Sequence, residues 1–257
     1  MGLRAVQLPA GLQRIEESTF ESCHSLQNVH IAPSVTFIGE SAFADCRSLR
    51  QIVIPEAVQS IGADAFEYCV RLQAIVLPDS VTELGEGVFA DCSRLETAVL
   101  GRGVTVIPYD CFYGCSSLRD ITVQGALTEI GKYAFLYCES LASFVVPNSV
   151  TMIDNFAFWD CHSLVSVQFM GPAPQIGWQP FPLNQRCKLY YWVSRSGWDA
   201  LDESWDVYAQ QLEGRVRTFR VLFDIGAVAE RIGGGELEQI VEEDYMAELP
   251  ELQSIRL

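Results

Sequence analysis

Phenylalanine recurs every 23 residues along most of this chain, at Phe20, Phe43, Phe66, Phe89, Phe112, Phe135 and Phe158. Cysteine keeps the same interval at Cys23, Cys46, Cys69, Cys92, Cys115, Cys138 and Cys161. Three places after each comes Leu26, Leu49, Leu72, Leu95, Leu118, Leu141 or Leu164. A unit this short has too little apolar surface to fold alone, so columns in strict register mean that copies stack and bury one another's faces.

Within a unit the Leu opens a segment such as Leu49, Ile52, Ile54 or Leu72, Ile75, Leu77, whose alternation is that of a strand with one buried face. Pro55, Pro78 and Pro147 then end the strand, because proline brings no N–H to the ladder. A second apolar pair follows, as in Val81 and Leu84 or Val150 and Ile153, which predicts a shorter strand. A turn or a single helical turn then carries Phe and Cys inward.

These residues resemble the BspA-like leucine-rich repeat family, whose unit runs roughly C-x-x-L-x-x-I-x-I-P-x-x-V-x-x-I-G-x-x-A-F, and the likeness extends over residues 3–193. The resemblance implies a repeat solenoid of about eight repeats over residues 1–193, a right-handed β-α superhelix that is mostly β with short helical turns and ends in a strand-helix cap. Departures are local: Pro108 replaces the usual Gly, Gly101 and Gln124 replace the strand-ending Pro, and Asn184 falls where Cys is due. Leu3, Val6, Leu8 and Pro9 form a first strand with no Phe or Cys before it. An unpaired edge is expected there, through which Leu3 to Leu8 can pair with a second copy. Continuation of the natural protein toward its N-terminus is the alternative.

Register persists at Ile176, Gly177 and Phe181, after which Tyr190 and Trp192 are expected to take the strand positions of Val167 and Phe169. Trp178, Trp192, Trp198 and Trp205 gather after the last full repeat, as a lid on an open core would require. Ser196 followed by Asp199, then Trp198, Leu201, Trp205, Tyr208 and Leu212, predicts an amphipathic capping helix over 194–212. Residues 213–257 form an acidic tail with ten acidic and five basic side chains, a strand at Arg217 to Asp224 and a turn at Gly233 to Gly235. The tail is either similar to the small β-grasp-like repeats of bacterial surface proteins or an extra strand and loop packed on the lid.

Nine cysteines raise the question of metal or redox chemistry. Equivalent Cβ atoms on stacked strands lie ~5 Å apart and point the same way, whereas a disulfide needs about 3.8 Å and converging vectors. Zinc needs about four ligands around one point, which a linear column does not offer. The column is therefore expected to be seven buried free thiols, with Cys111 and Cys187 as small buried residues beside it. His24 and His162 share a repeat position six units apart, ~30 Å, and His30 faces another side, so no histidine-based catalytic group assembles. Asp45, Asp91 and Asp160 share a column and are expected in solvated turns. Neither a phosphate-binding glycine loop nor an Asn-x-Ser/Thr acceptor is present, and no cofactor or metal is expected.

What a solenoid of this family leaves free is the concave strand face. Its middle column is expected to read His30, Val53, Val76, Val99, Thr122, Val145, Gln168, beside a column containing Gln51 and Asp120. Outward valines serve strand propensity alone, or they form an apolar contact strip; the recurrence of four at one column leans toward contact. The Thr36, Thr82, Thr105, Thr128, Thr151 column has a sufficient reason in cross-strand Thr pairs.

With 33 acidic against 17 basic residues the formal charge is −16, which repels phosphate backbones and anionic lipid at long range. No apolar run approaches the ~20 residues of a membrane helix, so neither nucleic acid nor membrane insertion is expected. The expected function is a non-enzymatic module that presents its concave sheet to a protein or glycan, and the family resemblance implies a bacterial surface or adhesion-type protein. A structural, self-associating scaffold is the alternative. The resemblance points to export or surface display, whereas a thiol-rich chain without a signal peptide suits a reducing interior.

Overall fold

A computed structural model describes residues 2–183, 186–192 and 195–215. The chain winds into a β-solenoid of about nine turns. One side is built from parallel strands, Ala5–Gln7, Asn28–His30, Ala74–Val76, Thr97–Leu100, Asp120–Val123, Ser143–Val146, Ser166–Phe169 and Lys188–Trp192, which lie one coil apart except across residues 51–54, a coil that contributes no strand here. A second side carries the two-residue strands that begin at Arg14–Ile15 and recur to Gln175–Ile176.

The third side departs from expectation. The segments bearing Phe and Cys contain no helix among the described residues; they are successive turns with two left-handed residues per coil. One left-handed column runs Ser18, Ser41, Asp64, Gly87, Asp110, Tyr133, Phe156, and the other runs Ser22, Asp45, Tyr68, Asp91, Gly114, Tyr137, Asp160. The two left-handed residues of a coil stand four apart, and in coils up to Tyr137 every second N–H from the first to the second bonds to the next coil. Asp64, Phe66 and Tyr68 accordingly donate to the carbonyls of Glu86, Val88 and Ala90 on the next coil at 2.8 to 2.9 Å. The turn side thus carries its own coil-to-coil hydrogen bonds, which removes the need for a helix there.

The core is the set of predicted columns. Phe43 to Phe158 are fully buried, and successive rings from Phe20 to Phe181 lie 4.9 to 5.7 Å apart within 16° of parallel. Two interruptions have local causes. The second-strand ladder breaks between Glu83–Leu84 and Val106–Ile107. Gly85 and Gly131 each donate back to a coil carbonyl at 2.8 Å, whereas Pro108 at that position has no N–H to give. The first-side ladder breaks before Ser143–Val146, where the Phe144 ring stands in the column of Ile75, Ala98 and Ile121 and wedges against Phe135 and Phe158 at 5.5 and 4.9 Å.

The end of the solenoid corrects the predicted capping helix. Gly197 has φ +85°, which stops any helix from starting at Ser196. Only a 3-10 helix forms, Glu203–Tyr208, capped by the Asp202 carboxylate, which accepts from the Ser204 N–H at 2.9 Å. Leu212–Arg215 then pairs with Lys188–Trp192, so the first residues assigned to the tail belong to the sheet. Trp198, Trp205 and Tyr208 are buried against Phe169 and Phe181, while Trp178, expected beside them, is 64% exposed on the turn side. The strand expected at Arg217 to Asp224 and the Gly233 to Gly235 turn lie outside the described residues.

Candidate functional site

The first-side strands alternate their side chains between core and solvent, and the solvent-facing rows form the candidate site. Val76, Val99 and Thr122 stand side by side, as do Val145 and Gln168, because the parallel ladders pair these positions directly. Val53, Val76 and Val145 are 79, 60 and 54% exposed, while their chain neighbours Ile52, Ile54, Ile75, Leu77, Phe144 and Val146 are buried. His30 and Thr122 are exposed, Val99 and Gln168 half-buried. Gln51 and Asp120 are exposed in the neighbouring column. Gln51 and Val53 sit on a coil whose Gln51–54 stretch does not join the ladder.

One register expectation fails here, with consequences for the face. Leu189, not Tyr190, pairs with Val167, and Tyr190 pairs with Gln168. The coil between Phe181 and Leu189 is one residue short, and a one-residue slip sends every side chain of a strand to the opposite face. Tyr190 therefore joins the outward column, where Glu213 follows it and makes an ion pair with Lys188 at 3.1 Å. Tyr191 points inward instead and stacks on Trp198 at 4.6 Å. Trp192, expected in the core position of Phe169, is half-buried beside Met170's register. The signal was present in the sequence, since Leu189 is the aliphatic member of the Leu-Tyr-Tyr-Trp run and suits the strand's buried position.

The thiols lie where the spacing put them, apart from Cys23, which is half-buried at the first coil. None of the nine cysteines is in a disulfide. Burial pushes the Cys46 and Cys187 thiols up to about 12 and raises those of Cys69, Cys92, Cys115 and Cys138 well above the usual thiol range. A nucleophilic or metal-binding thiolate is disfavoured by that desolvation.

His24 lies against Asp45 of the next coil, with Nδ1 3.3 Å from Oδ2 and 3.1 Å from the Asp45 backbone carbonyl. Arg47 completes the arrangement, its Nε donating to Asp45 Oδ1 at 2.6 Å. Asp45, Asp91 and Asp160 are half-buried left-handed turn residues, not the fully solvated ones expected. Among the described residues no group of three His, Cys, Asp or Glu is placed to hold a metal ion. The threonines donate to backbone instead of pairing with one another: Thr36 Oγ1 reaches the Gln13 carbonyl at 3.3 Å and Thr151 that of Thr128 at 3.2 Å.

Fold and face together define a parallel-coil repeat protein with an open strand-lined surface. A model of the BspA type leucine rich repeat region matches residues 1–119 and 59–188 with six copies. The chain belongs to the BspA-type leucine-rich repeat family. It is 30% identical to a leucine-rich repeat protein of T. pallidum, over 68% of this chain and 73% of that one, with a TM-score of 0.48. It is 25% identical to a leucine rich cell surface protein of Faecalibacterium prausnitzii, over 74% and 69% of the two chains, with a TM-score of 0.50. A leucine-rich repeat protein of Eubacterium ventriosum shares the fold at 20% identity and a TM-score of 0.51, over 73% of this chain and 53% of that one. No functionally curated protein matches the sequence. No helix among the described residues is long and apolar enough to cross a membrane.

Proposed function

We propose that this protein is a non-enzymatic binding module that presents the concave strand face to a protein or glycan partner at a bacterial surface. The observation that carries the reading is the row Val53, Val76, Val145, exposed on a scaffold whose opposite strand face is dry. Burying an exposed valine against a partner contributes roughly 1.5 to 3 kcal/mol, and a hydrogen-bonded ladder loses little conformational entropy on binding. Polar residues flank the row: His30 and Gln51 toward one end, Asp120, Gln168 and Tyr190 toward the other. An apolar centre with a polar rim is the arrangement of a protein contact surface. The cell-surface assignment of the F. prausnitzii relative supports the location. Nucleic acid and anionic membranes are disfavoured partners for a chain of formal charge −16.

The test is a V76E/V99E variant, screened beside the parent protein on a glycan array and a panel of immobilised extracellular-matrix proteins. The expected outcome is a parent signal weakened at least about tenfold in the variant, with an unchanged melting curve. Signals that survive the substitutions intact place binding elsewhere and reject the concave face.

A further inference from the structure

The turn side carries an aromatic surface that the concave-face reading does not use. Tyr109 and Tyr137 are 40 and 41% exposed and Trp178 is 64% exposed. Two sets of ring contacts cross coils: Tyr109 meets Tyr133 at 5.7 Å, Tyr133 stacks on Phe156 at 5.7 Å and Phe156 meets Trp159 at 5.8 Å to form a ridge, and Tyr113 meets Tyr137 at 5.6 Å beside it, while Trp178 stands further along at the repeat position of Tyr109. None of these rings belongs to the buried Phe column, and aromatic side chains gathered at a surface mark a contact site.

At one end the ridge walls a groove of about 270 Å³. The repeat columns explain its shape. Its floor is Gly87 and Ala90, the small members of columns that elsewhere hold Asp110 and Tyr113 or Asp64 and Glu67. Gly87 sits at φ +61°, and the Asp64 carboxylate occupies the space its Cβ would fill, so glycine is required both for conformation and for room. The rim is entirely anionic: Asp64, Glu67, Glu86, Asp91 and Asp110 all line the groove, with Tyr109 and Tyr113 over it. Burial first, then mutual repulsion, pushes the Asp64 and Glu67 carboxyls above their usual range, and burial does the same to Asp91 and Asp110.

The chain itself displays the complementary chemistry one coil further on. Lys132, which occupies the repeat position of Tyr109, lays its ammonium 4.6 Å from the centre of the Tyr133 ring, and its charge lowers the Asp110 carboxyl that burial raises. A cation over a tyrosine face beside a carboxylate is therefore an arrangement this ridge already holds.

We infer that the aromatic ridge and its groove form a second docking surface, separate from the concave face, for a basic peptide segment of a protein partner. A Lys or Arg side chain of that segment enters over Gly87 and Ala90 between Tyr109 and the carboxylates. Its apolar neighbours lie along Tyr133, Phe156 and Trp178. The commitment to a basic occupant rests on charge complementarity, because the groove rim is anionic and desolvated while the rings offer π faces to a cation.

The experiment measures binding of fluorescein-labelled hexa-arginine to the full chain by anisotropy, with unlabelled hexa-glutamate and a neutral oligosaccharide as competitors. Tyr109→Ala and, separately, the E86Q/D110N pair are each expected to weaken binding about tenfold. An E17Q/E129Q pair, which removes the same charge at residues that do not line the groove, is expected to leave it unchanged. Should Tyr109→Ala lower the melting temperature, Glu86→Gln alone carries the comparison. Equal weakening by the two charge pairs overturns the proposal in favour of non-specific attraction to an acidic protein. Displacement of hexa-arginine by the oligosaccharide overturns it in favour of a glycan.

Discussion

From Cys46 to Cys161 each cysteine of the column ties two coils together. The Cys46, Cys92 and Cys161 thiols donate to the carbonyls of Phe20, Phe66 and Phe135 on the preceding coil at 3.1 to 3.2 Å, and Cys69, Cys115 and Cys138 repeat the bond. The same Phe carbonyl also accepts the N–H of its own coil's cysteine, so both of its lone pairs are used in a dry core. Cysteine fits because it is small, apolar and still a donor. These thiols stay neutral in the fold but ionise near pH 8.5 in an unfolded chain. A group whose folded value is raised contributes stability below its unfolded value and loses it as pH rises toward the folded one. Thermal melts are therefore expected to be level from pH 6 to about 8 and to fall steeply above about 8.5. Glu67 presents the opposite balance of benefit at neutral pH. Burial and the nearby Asp64, Asp91 and Asp45 raise its carboxyl, so its charge opposes folding at pH 7. Glu67→Gln is expected to raise the melting temperature at pH 7, and the gain should vanish below about pH 4, where both states are protonated.

At the scale of an element, Tyr208 substitutes for a missing coil. From Phe20 to Phe158 each Phe N–H donates to a carbonyl of the next coil, as Phe158 does to Pro180. Phe181 has no equivalent coil above it. Its N–H instead donates to the Tyr208 hydroxyl at 3.2 Å, and that hydroxyl donates to the Phe181 carbonyl at 3.1 Å, replacing both the carbonyl and the thiol of the repeat. The short 3-10 helix Glu203–Tyr208 exists to deliver this ring together with Trp205. Tyr208→Phe keeps the packing and orphans both backbone groups. It is expected to cost ~1 to 3 kcal/mol in chemical unfolding. Amide exchange should quicken at Phe181 and Leu189 while Phe66 and Phe89 stay protected, because coils exchange locally.

At the scale of the molecule, each coil touches only its neighbours, so stability is a sum along one dimension. Removing residues 24–46, one full period, brings Cys23 next to Arg47 and Phe20 onto Phe66 with every column intact. The deleted protein is expected to keep its far-ultraviolet circular dichroism shape and a cooperative melt at a lower temperature. Removing one residue more or fewer shifts the columns on one side of the junction and is expected to abolish that cooperativity. The natural one-residue slip before Leu189 is tolerated because it falls at the last coils, where Trp198, Trp205 and Tyr191 rebuild the packing. On the turn side of this rod the acidic side chains Asp64, Glu67, Glu86, Asp91 and Asp110 gather around Tyr109 and Tyr113.

The columns, the inward Phe and Cys, the free thiols and the outward valines were all legible in the linear sequence. A 23-residue period places equivalent atoms one coil apart, and burial then follows from repetition alone. Hydrogen bonds between coils are not written in the period. The left-handed turns at Asp64 and Tyr68, the thiol-to-carbonyl bonds and the break at Pro108 depend on which way each N–H points once coils are stacked. The strand slip at Leu189, the loss of the predicted helix at Gly197 and the Tyr208 substitution arise where repetition ends, and there side chains must satisfy groups that no neighbouring copy reaches. The groove over Gly87 belongs to the tertiary structure for the same reason: it is made by three adjacent coils whose residues differ, and a period describes only what they share.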